Sequence, residues 1–244
     1  MNVMLPTARK LKARSKGTHW KKWDNAILRV SVGYNRFEGH EFDALLRWLI
    51  KPGRFKDVIL LVSDRLAAHN IQAIYSKNSK EATEIALKRG YEWQVKTKNL
   101  IETARKRFDG DIKIIDWRDA KRSSEQAARE GVLVTSYDVI SARLDAAYDE
   151  DEDFRHFVHM DIDRFVTSRR DVLDENTIPE LKKSSVKYIM EELAVHSVLR
   201  ERYADWCHVY PGSQLKSERY LIDNNVRYSW CSLNSDFYIE LRLE

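Results

Sequence analysis

The side chains able to do chemistry in this chain are a serine, two tyrosines and a glutamate, spread across most of its length. Ser31 lies near the end of an apolar run, residues 26–32, that stops at Gly33 and a polar turn before a helical pattern begins at His40. An apolar run that ends at glycine and hands over to a helix predicts a buried strand of an α/β sheet. Such sheets bind ligands at the carboxyl ends of their strands. Ser31 therefore stands where a nucleophile would, although a strand-end serine needs no chemical role and no G-x-S-x-G elbow surrounds it. Tyr210, in Tyr210-Pro211-Gly212, ends another strand pattern at the same edge; alone it reads as a turn.

Tyr188 and Glu192 sit one turn apart in the helical pattern 177–203, whose apolar face is Leu181, Tyr188, Val195, Leu199 and Tyr203. Tyr188 alone reads as core packing. A carboxylate in the middle of that face must find a partner or a ligand, because burying it unpaired is costly. Two readings stand: an ion pair with a buried base such as Arg29, or a proton acceptor whose pKa burial has raised. Glu191 points to the helix edge and reads as a solvated charge. His156 and His159, followed by Asp161 and Asp163, are better read as a surface helix face than as metal ligands. There is no Gly-rich phosphate loop, and Cys207 and Cys231 lack CxxC spacing, which predicts a reduced, cytoplasmic protein without zinc.

These residues need elements to hold them. Strands are predicted over residues 25–32, 57–63, 111–117, 206–210, 228–233 and 237–243. Helices are predicted over 40–51, 67–75, 79–108, 121–130, 132–148, 154–169, 177–203 and 214–223, with Gly90 as a kink site and the acidic run 149–153 as a solvated loop or helix end. Strand runs that are apolar on both faces favour a parallel sheet covered by helices. The alternation predicts an α/β, three-layer, Rossmann-like domain with a mostly parallel sheet over residues 25–244, preceded by a basic segment, residues 1–24. The 43% apolar content fits a globular protein, and neither a membrane-spanning run nor a secretory h-region is present.

The net charge is only +4, but it is unevenly placed. Arg9, Lys10, Lys12, Arg14, Lys16, Lys21 and Lys22 all precede the first acidic residue, Asp24. In the pattern 79–108, Lys88, Arg89, Lys96, Lys98, Arg105, Lys106 and Arg107 lie outside the apolar stripe Ala82, Ala86, Trp93, Leu100, Ala104 and Phe108. Alone this is a solvated helix face; local basic clusters also suit a polyanionic partner.

Ser31-Val32-Gly33, Tyr188-Ile189-Met190-Glu191-Glu192 and Tyr210-Pro211, in this order and at these separations, resemble the tRNA-dependent cyclodipeptide synthases across nearly the whole chain. Tyr210-Pro211, with Tyr34 in place of asparagine three residues after the serine, resembles the XYP branch and not the NYH branch. The resemblance implies a fold related to the catalytic domain of class I tyrosyl- and tryptophanyl-tRNA synthetases. It implies an aminoacyltransferase that joins two aminoacyl groups from aminoacyl-tRNAs into a 2,5-diketopiperazine, as a monomer, without ATP or metal. Ser31 would be the nucleophile. Tyr188 and Glu192 would hold the amino group and move protons, and Tyr210 would position the reacting groups beside Gly33 and Tyr34. The seven basic residues of 79–108 would meet tRNA. Two positions depart from the family's pattern: Ala194, usually proline, and Phe37, often histidine in the XYP branch. A degenerate class I aminoacyl-tRNA synthetase would need HIGH-like and KMSKS-like motifs, which are absent. A non-catalytic RNA-binding domain would leave Glu192 unexplained.

Overall fold

The computed structural model describes residues 12–15, 19–233 and 238–243. Its sheet has six strands: β1 (Ala13–Ser15), β2 (Asn25–Val30), β3 (Asp57–Val62), β4 (Ile112–Asp116), β5 (Trp206–Tyr210) and β6 (Tyr238–Leu243), in the order β1-β6-β5-β2-β3-β4. From β6 to β4 all neighbours are parallel; only β1, at the edge, runs antiparallel to β6. The strand order reverses at β2. The chain moves outward to β3 and β4, then returns to place β5 on the other side of β2. A crevice therefore opens at the carboxyl end of β2, directly before Ser31.

Side chains on a strand alternate between faces. Ala26, Leu28 and Val30 of β2 join a core with Phe42, Leu45 and Leu49 of α1 (Gly39–Leu49) and with Trp93 and Ile101 of α3 (Ser79–Arg105), which follows the short helix α2 (Ala68–Ile74). Ile27 takes the opposite face, packed with Val195 and Leu199 of α8 (Ile178–Arg202). By the same period Arg29 and then Ser31 face the α8 side. Helix α8 is in turn covered by α6 (Tyr137–Glu150), α7 (Glu152–Thr167) and α9 (Lys216–Asp223), whose apolar side chains share a second core with Leu193, Ala194 and Val198. The helix that carries Tyr188 and Glu192 is thus wedged between sheet and outer helices, with little room to shift.

Several predicted elements differ. The stretch 228–233 is a series of turns, not a strand: Tyr228 is buried against Phe154 and Tyr220, so its apolarity serves side-chain packing instead of ladder pairing. Residues 121–130 divide into α4 (Trp117–Lys121) and α5 (Ser123–Arg129). Helix α6 begins only at Tyr137, where Ser136 caps it by accepting from the Val139 amide. The acidic run is not simply solvated. Asp151 is buried, caps α7 through the amides of Asp153 and Phe154, and is held by Arg227 and by the hydroxyls of Tyr220 and Tyr228. Of the N-terminal basic residues, Arg9, Lys10 and Lys16 lie outside the described residues; Lys21 and Lys22 are exposed in a short 3-10 turn.

Gly90 does not interrupt α3, which continues through it to Arg105. Its role is close approach: an added Cβ would lie 2.6 Å from Asp64 Cβ, in the loop after β3. Alanine would contribute about 1 kcal/mol of helix propensity, but overpacking costs about 1–3 kcal/mol. Gly90→Ala is therefore expected to lower the urea midpoint; an unchanged or raised midpoint would mean that α3 can move off Asp64 freely.

Candidate active site

Ser31 follows the last residue of β2, and Tyr210 ends the adjacent strand β5. Parallel pairing brings the two strand ends together, and Ser31 Oγ lies 3.4 Å from the Tyr210 hydroxyl. Gly33 turns the chain away at φ 89°, a left-handed value that favours glycine. The loop is fixed to its neighbour by Arg36, whose Nη1 donates to the Pro211 carbonyl at 2.6 Å. Phe37 is buried below, its ring 5.9 Å from that of Tyr210, and its carbonyl accepts from Trp93 Nε1 at 2.7 Å. Tyr188 and Glu192 reach the same space from α8. One cavity of about 530 Å³ is lined by Ser31, Gly33, Tyr34, Tyr188, Glu192 and Tyr210.

The two readings of Glu192 are separated by Arg29. Its guanidinium pairs with Glu218 of α9, at 2.9 Å and 3.5 Å, and not with Glu192. Glu192 instead borders the cavity, its side chain 19% exposed. Burial pushes its carboxyl up to about 7; Arg29 opposes this, and the carboxylates of Glu218 and Asp161 reinforce it. Burial likewise raises Tyr188 well above the ordinary phenol value, with Glu192 adding to the effect, and raises Tyr210. Both phenols stay protonated at neutral pH and can donate.

Glu191 is not a solvated charge. Its carboxylate accepts from Trp117 Nε1 at 2.8 Å and lies 3.1 Å from His69 Nε2 and 3.4 Å from Lys121 Nζ. Burial pushes this group up, but His69 and Lys121 outweigh that and hold it below the ordinary carboxylate range. Asp161 belongs to no metal set either. It accepts from the amides of Lys216 and Ser217 at the start of α9 and pairs with Arg164, while His159 bonds the Tyr148 hydroxyl. Among the described residues no three His, Cys, Asp or Glu groups converge as metal ligands.

Of the seven basic residues on 79–108, only Arg89 lines the cavity, beside Tyr75. Lys88, Lys96 and Lys98 are exposed next to Glu92, Glu38 and Glu102. Arg105 is occupied by the Ile112 carbonyl, and Lys106 and Arg107 follow the end of α3. Sequence reasoning missed the positive wall opposite: Arg164 and Arg169, with Arg169 4.5 Å above the Phe165 ring and 5.2 Å from that of Tyr34. It also missed Glu218, which resembles any acidic residue in a helix's first turn.

A carboxyl raised toward 7 is a stability cost at high pH. Unfolded, Glu192 ionises near its ordinary value; folded, it keeps its proton until about 7. The unfolded state thus binds fewer protons in between, and stability falls as pH rises through that window, by about 3 kcal/mol in all. Glu192→Gln removes this loss. The variant should melt several degrees above the parent at about pH 8 and close to it at about pH 5; an equal difference at both would mean that Glu192 is not raised.

The family model described as cyclodipeptide synthase matches residues 13–196. No curated protein matches the chain. Among solved structures, a cyclodipeptide synthase from Fluoribacter dumoffii superposes with a TM-score of 0.78 at 20% identity, covering 96% of this chain and 99% of that one. A Mycobacterium tuberculosis protein, whose structure relates cyclodipeptide synthetases to type I tRNA synthetases, gives 0.64 at 16% identity, covering 96% and 93%. The synthase from Candidatus Glomeribacter gigasporarum, bound to Phe-tRNAPhe, gives 0.60 at 17%, covering 88% and 86%. The parallel sheet reversing at β2 is the fold of these structures, and the family match runs from β1 to within α8. The chain belongs to the cyclodipeptide synthase family.

Proposed function

We propose that this enzyme takes both of its aminoacyl groups from aminoacyl-tRNAs and carries the first as an ester on Ser31, in the manner of the XYP branch. The observation that carries the reading is the meeting of Ser31, Tyr188, Glu192 and Tyr210 around one cavity at the carboxyl end of β2. An aminoacyl-tRNA is already an activated ester, so transfer to a serine hydroxyl exchanges one oxygen ester for another and needs neither ATP nor metal. Such a step requires positioning and stabilisation of an oxyanion. The proton leaving Ser31 Oγ goes to the departing ribose oxygen, and Tyr210, protonated and 3.4 Å from Oγ, is the adjacent donor that aligns them.

Two amide bonds must then form. In each, an α-ammonium loses one proton to become a nucleophile, and a second when the amide forms; the latter goes to the departing oxygen, first of tRNA and finally of Ser31. Glu192, raised to about 7, is matched to the first of these transfers at neutral pH, and it releases that proton to water before the second amide forms. Tyr188, one turn away and protonated, positions the amine by hydrogen bonding. Release of Ser31 on ring closure completes covalent catalysis. The enzyme acts as a monomer in the cytoplasm. Lys88 and Lys96, on the arc of α3 that also carries Arg89, follow the acceptor arm toward the cavity.

Incubation with aminoacyl-tRNA and intact-mass analysis should find one aminoacyl group on the parent chain and none on Ser31→Ala, which also makes no cyclic dipeptide. A product-forming Ser31→Ala enzyme would rule out the ester. Glu192→Gln should still load Ser31 but form dipeptide at least about a hundredfold more slowly, the usual scale of general-base catalysis. Replacing Lys88 and Lys96 together by alanine should make the dependence of log K on log salt for tRNA shallower by about 1–2; an unchanged slope removes that arc from the interface.

A further inference from the structure

Beneath Glu192 runs a buried polar row that the steps above do not use. Arg29 holds Glu218 at 2.9 Å, Glu218 Oε1 lies 3.3 Å from His196 Nδ1, and His196 Nε2 lies 3.9 Å from Glu192 Oε1. On the far side Arg29 Nε donates to His208 Nδ1 at 3.0 Å. The His196 and Glu218 side chains are 1% and 0% exposed. The imidazole is held by perpendicular packing: its ring centre lies 6.3 Å from that of Trp117 and 5.5 Å from that of His208.

The partners fix the tautomer of His196. Burial pushes the Glu218 carboxyl up, but Arg29 and the contact with His196 more than offset this and hold it at about 2. Ionised, it offers only acceptors, so the nitrogen facing it must carry hydrogen. Burial, aided by Arg29, lowers His196 to about 4 and keeps the ring neutral. With Nδ1 protonated, Nε2 keeps its lone pair, and that lone pair is on the side of Glu192. Besides Tyr188 on its own helix, Glu192 faces Arg29 from β2, Asp161 from α7, Glu218 from α9, and Tyr210 and Tyr238 from β5 and β6. Arg29 favours the carboxylate, while Asp161 and Glu218 favour the carboxyl; His196 adds a neutral acceptor.

We propose that His196 is a positioning residue for Glu192: Glu218 locks the imidazole with Nδ1–H toward its own carboxylate, so that Nε2 accepts the hydrogen of Glu192 once Glu192 has taken a proton from a substrate ammonium. The inference rests on Glu192 being that base. As ammonium becomes amine, carboxylate becomes carboxyl; the imidazole gains no proton and only accepts a hydrogen bond. Before the transfer two acceptors face one another and repel, which suits the 3.9 Å separation. After it they are donor and acceptor, so the protonated base is stabilised and turned in a fixed direction, with its other oxygen left toward the substrate.

In the unsubstituted protein labelled with 15N-histidine, long-range 1H–15N spectra should give His196 as the Nδ1–H tautomer, with an Nε2 signal that moves as Glu192 titrates near neutrality. The Nε2–H tautomer, or an Nε2 signal indifferent to that titration, would overturn the proposal. His196→Asn keeps a donor near Glu218 and deletes Nε2. It should load Ser31 normally, form dipeptide about tenfold more slowly, and move the acidic limb of the rate profile down by about one pH unit. His196→Gln, which can return an acceptor near the Nε2 position, should recover part of both. A slower variant with an unmoved limb would reduce His196 to packing and sink the idea. The tautomer measurement needs no substrate, so its failure is distinct from a failure to detect acyl-Ser31, which would strike the proposed function instead.

Discussion

Where Arg29 places its charge decides what the site can do. The residue sits two positions before Ser31 on the same face of β2, so strand geometry puts a guanidinium under the Ser31 end of the cavity. Two carboxylates are within its influence, and it binds only one, Glu218, through both terminal nitrogens. Had it paired with Glu192, that carboxyl would be held low, as Glu218 is, and would be a poor base near neutral pH. Because α9 supplies the counter-charge, Glu192 is buried without an arginine or lysine partner among the described residues and titrates near 7. Removing one partner of such a buried pair typically costs about 3–5 kcal/mol, so the pair ties together β2 and α9 and leaves the Glu192 carboxyl without a cationic partner among the described residues.

The same arrangement explains why the outer helices matter to a site at the sheet edge. Asp161 of α7 caps the start of α9 through the amides of Lys216 and Ser217. That fixes the turn from which Glu218 projects. Asp151, between α6 and α7, gathers Arg227 and the hydroxyls of Tyr220 and Tyr228 around the far end of α9. Helix α9 is only eight residues long; these two buried aspartates add to its Arg29–Glu218 pair and to the burial of Leu221 and Ile222, and together these hold in place a helix too short to be stable alone.

What could be read from the sequence is what depends on local period. The helices 79–108 and 177–203 are legible because their apolar residues recur at helical spacing, and the strands 57–63 and 111–117 because short apolar runs are bounded by turn residues. The site was legible as an order of short motifs and as a carboxylate on an apolar stripe. Partner choice was not legible. Glu191 and Glu192 are adjacent and identical, yet one is bound by Trp117, His69 and Lys121 and the other borders the cavity. Periodicity assigns each a direction but not the group that waits there. The acidic run failed similarly: its middle residue is buried because two tyrosines and an arginine from 220–228 converge on it. The stretch 228–233 has the residue types of a strand without being one, because packing and pairing draw on the same side chains.

The departure at Ala194 has a physical reading in this light. A proline there would remove the amide that bonds to the Met190 carbonyl and would press its ring against that same carbonyl. The resulting kink would fall between Glu192 and His196. With alanine, α8 runs without a break from Ile178 to Arg202, and Ala194 is fully buried among the outer helices. The regular four-residue spacing then sets His196 one turn behind Glu192 on a shared face. Within this unbroken helix one imidazole touches Glu218 with Nδ1 while its Nε2 stands before Glu192. Phe37 fits the same economy of parts: buried under Tyr210 and tied by its carbonyl to Trp93, it supports the tyrosine from below, where its ring makes an apolar floor. In this chain the buried polar row meets the cavity through α8, while Phe37 in the loop after β2 supplies packing.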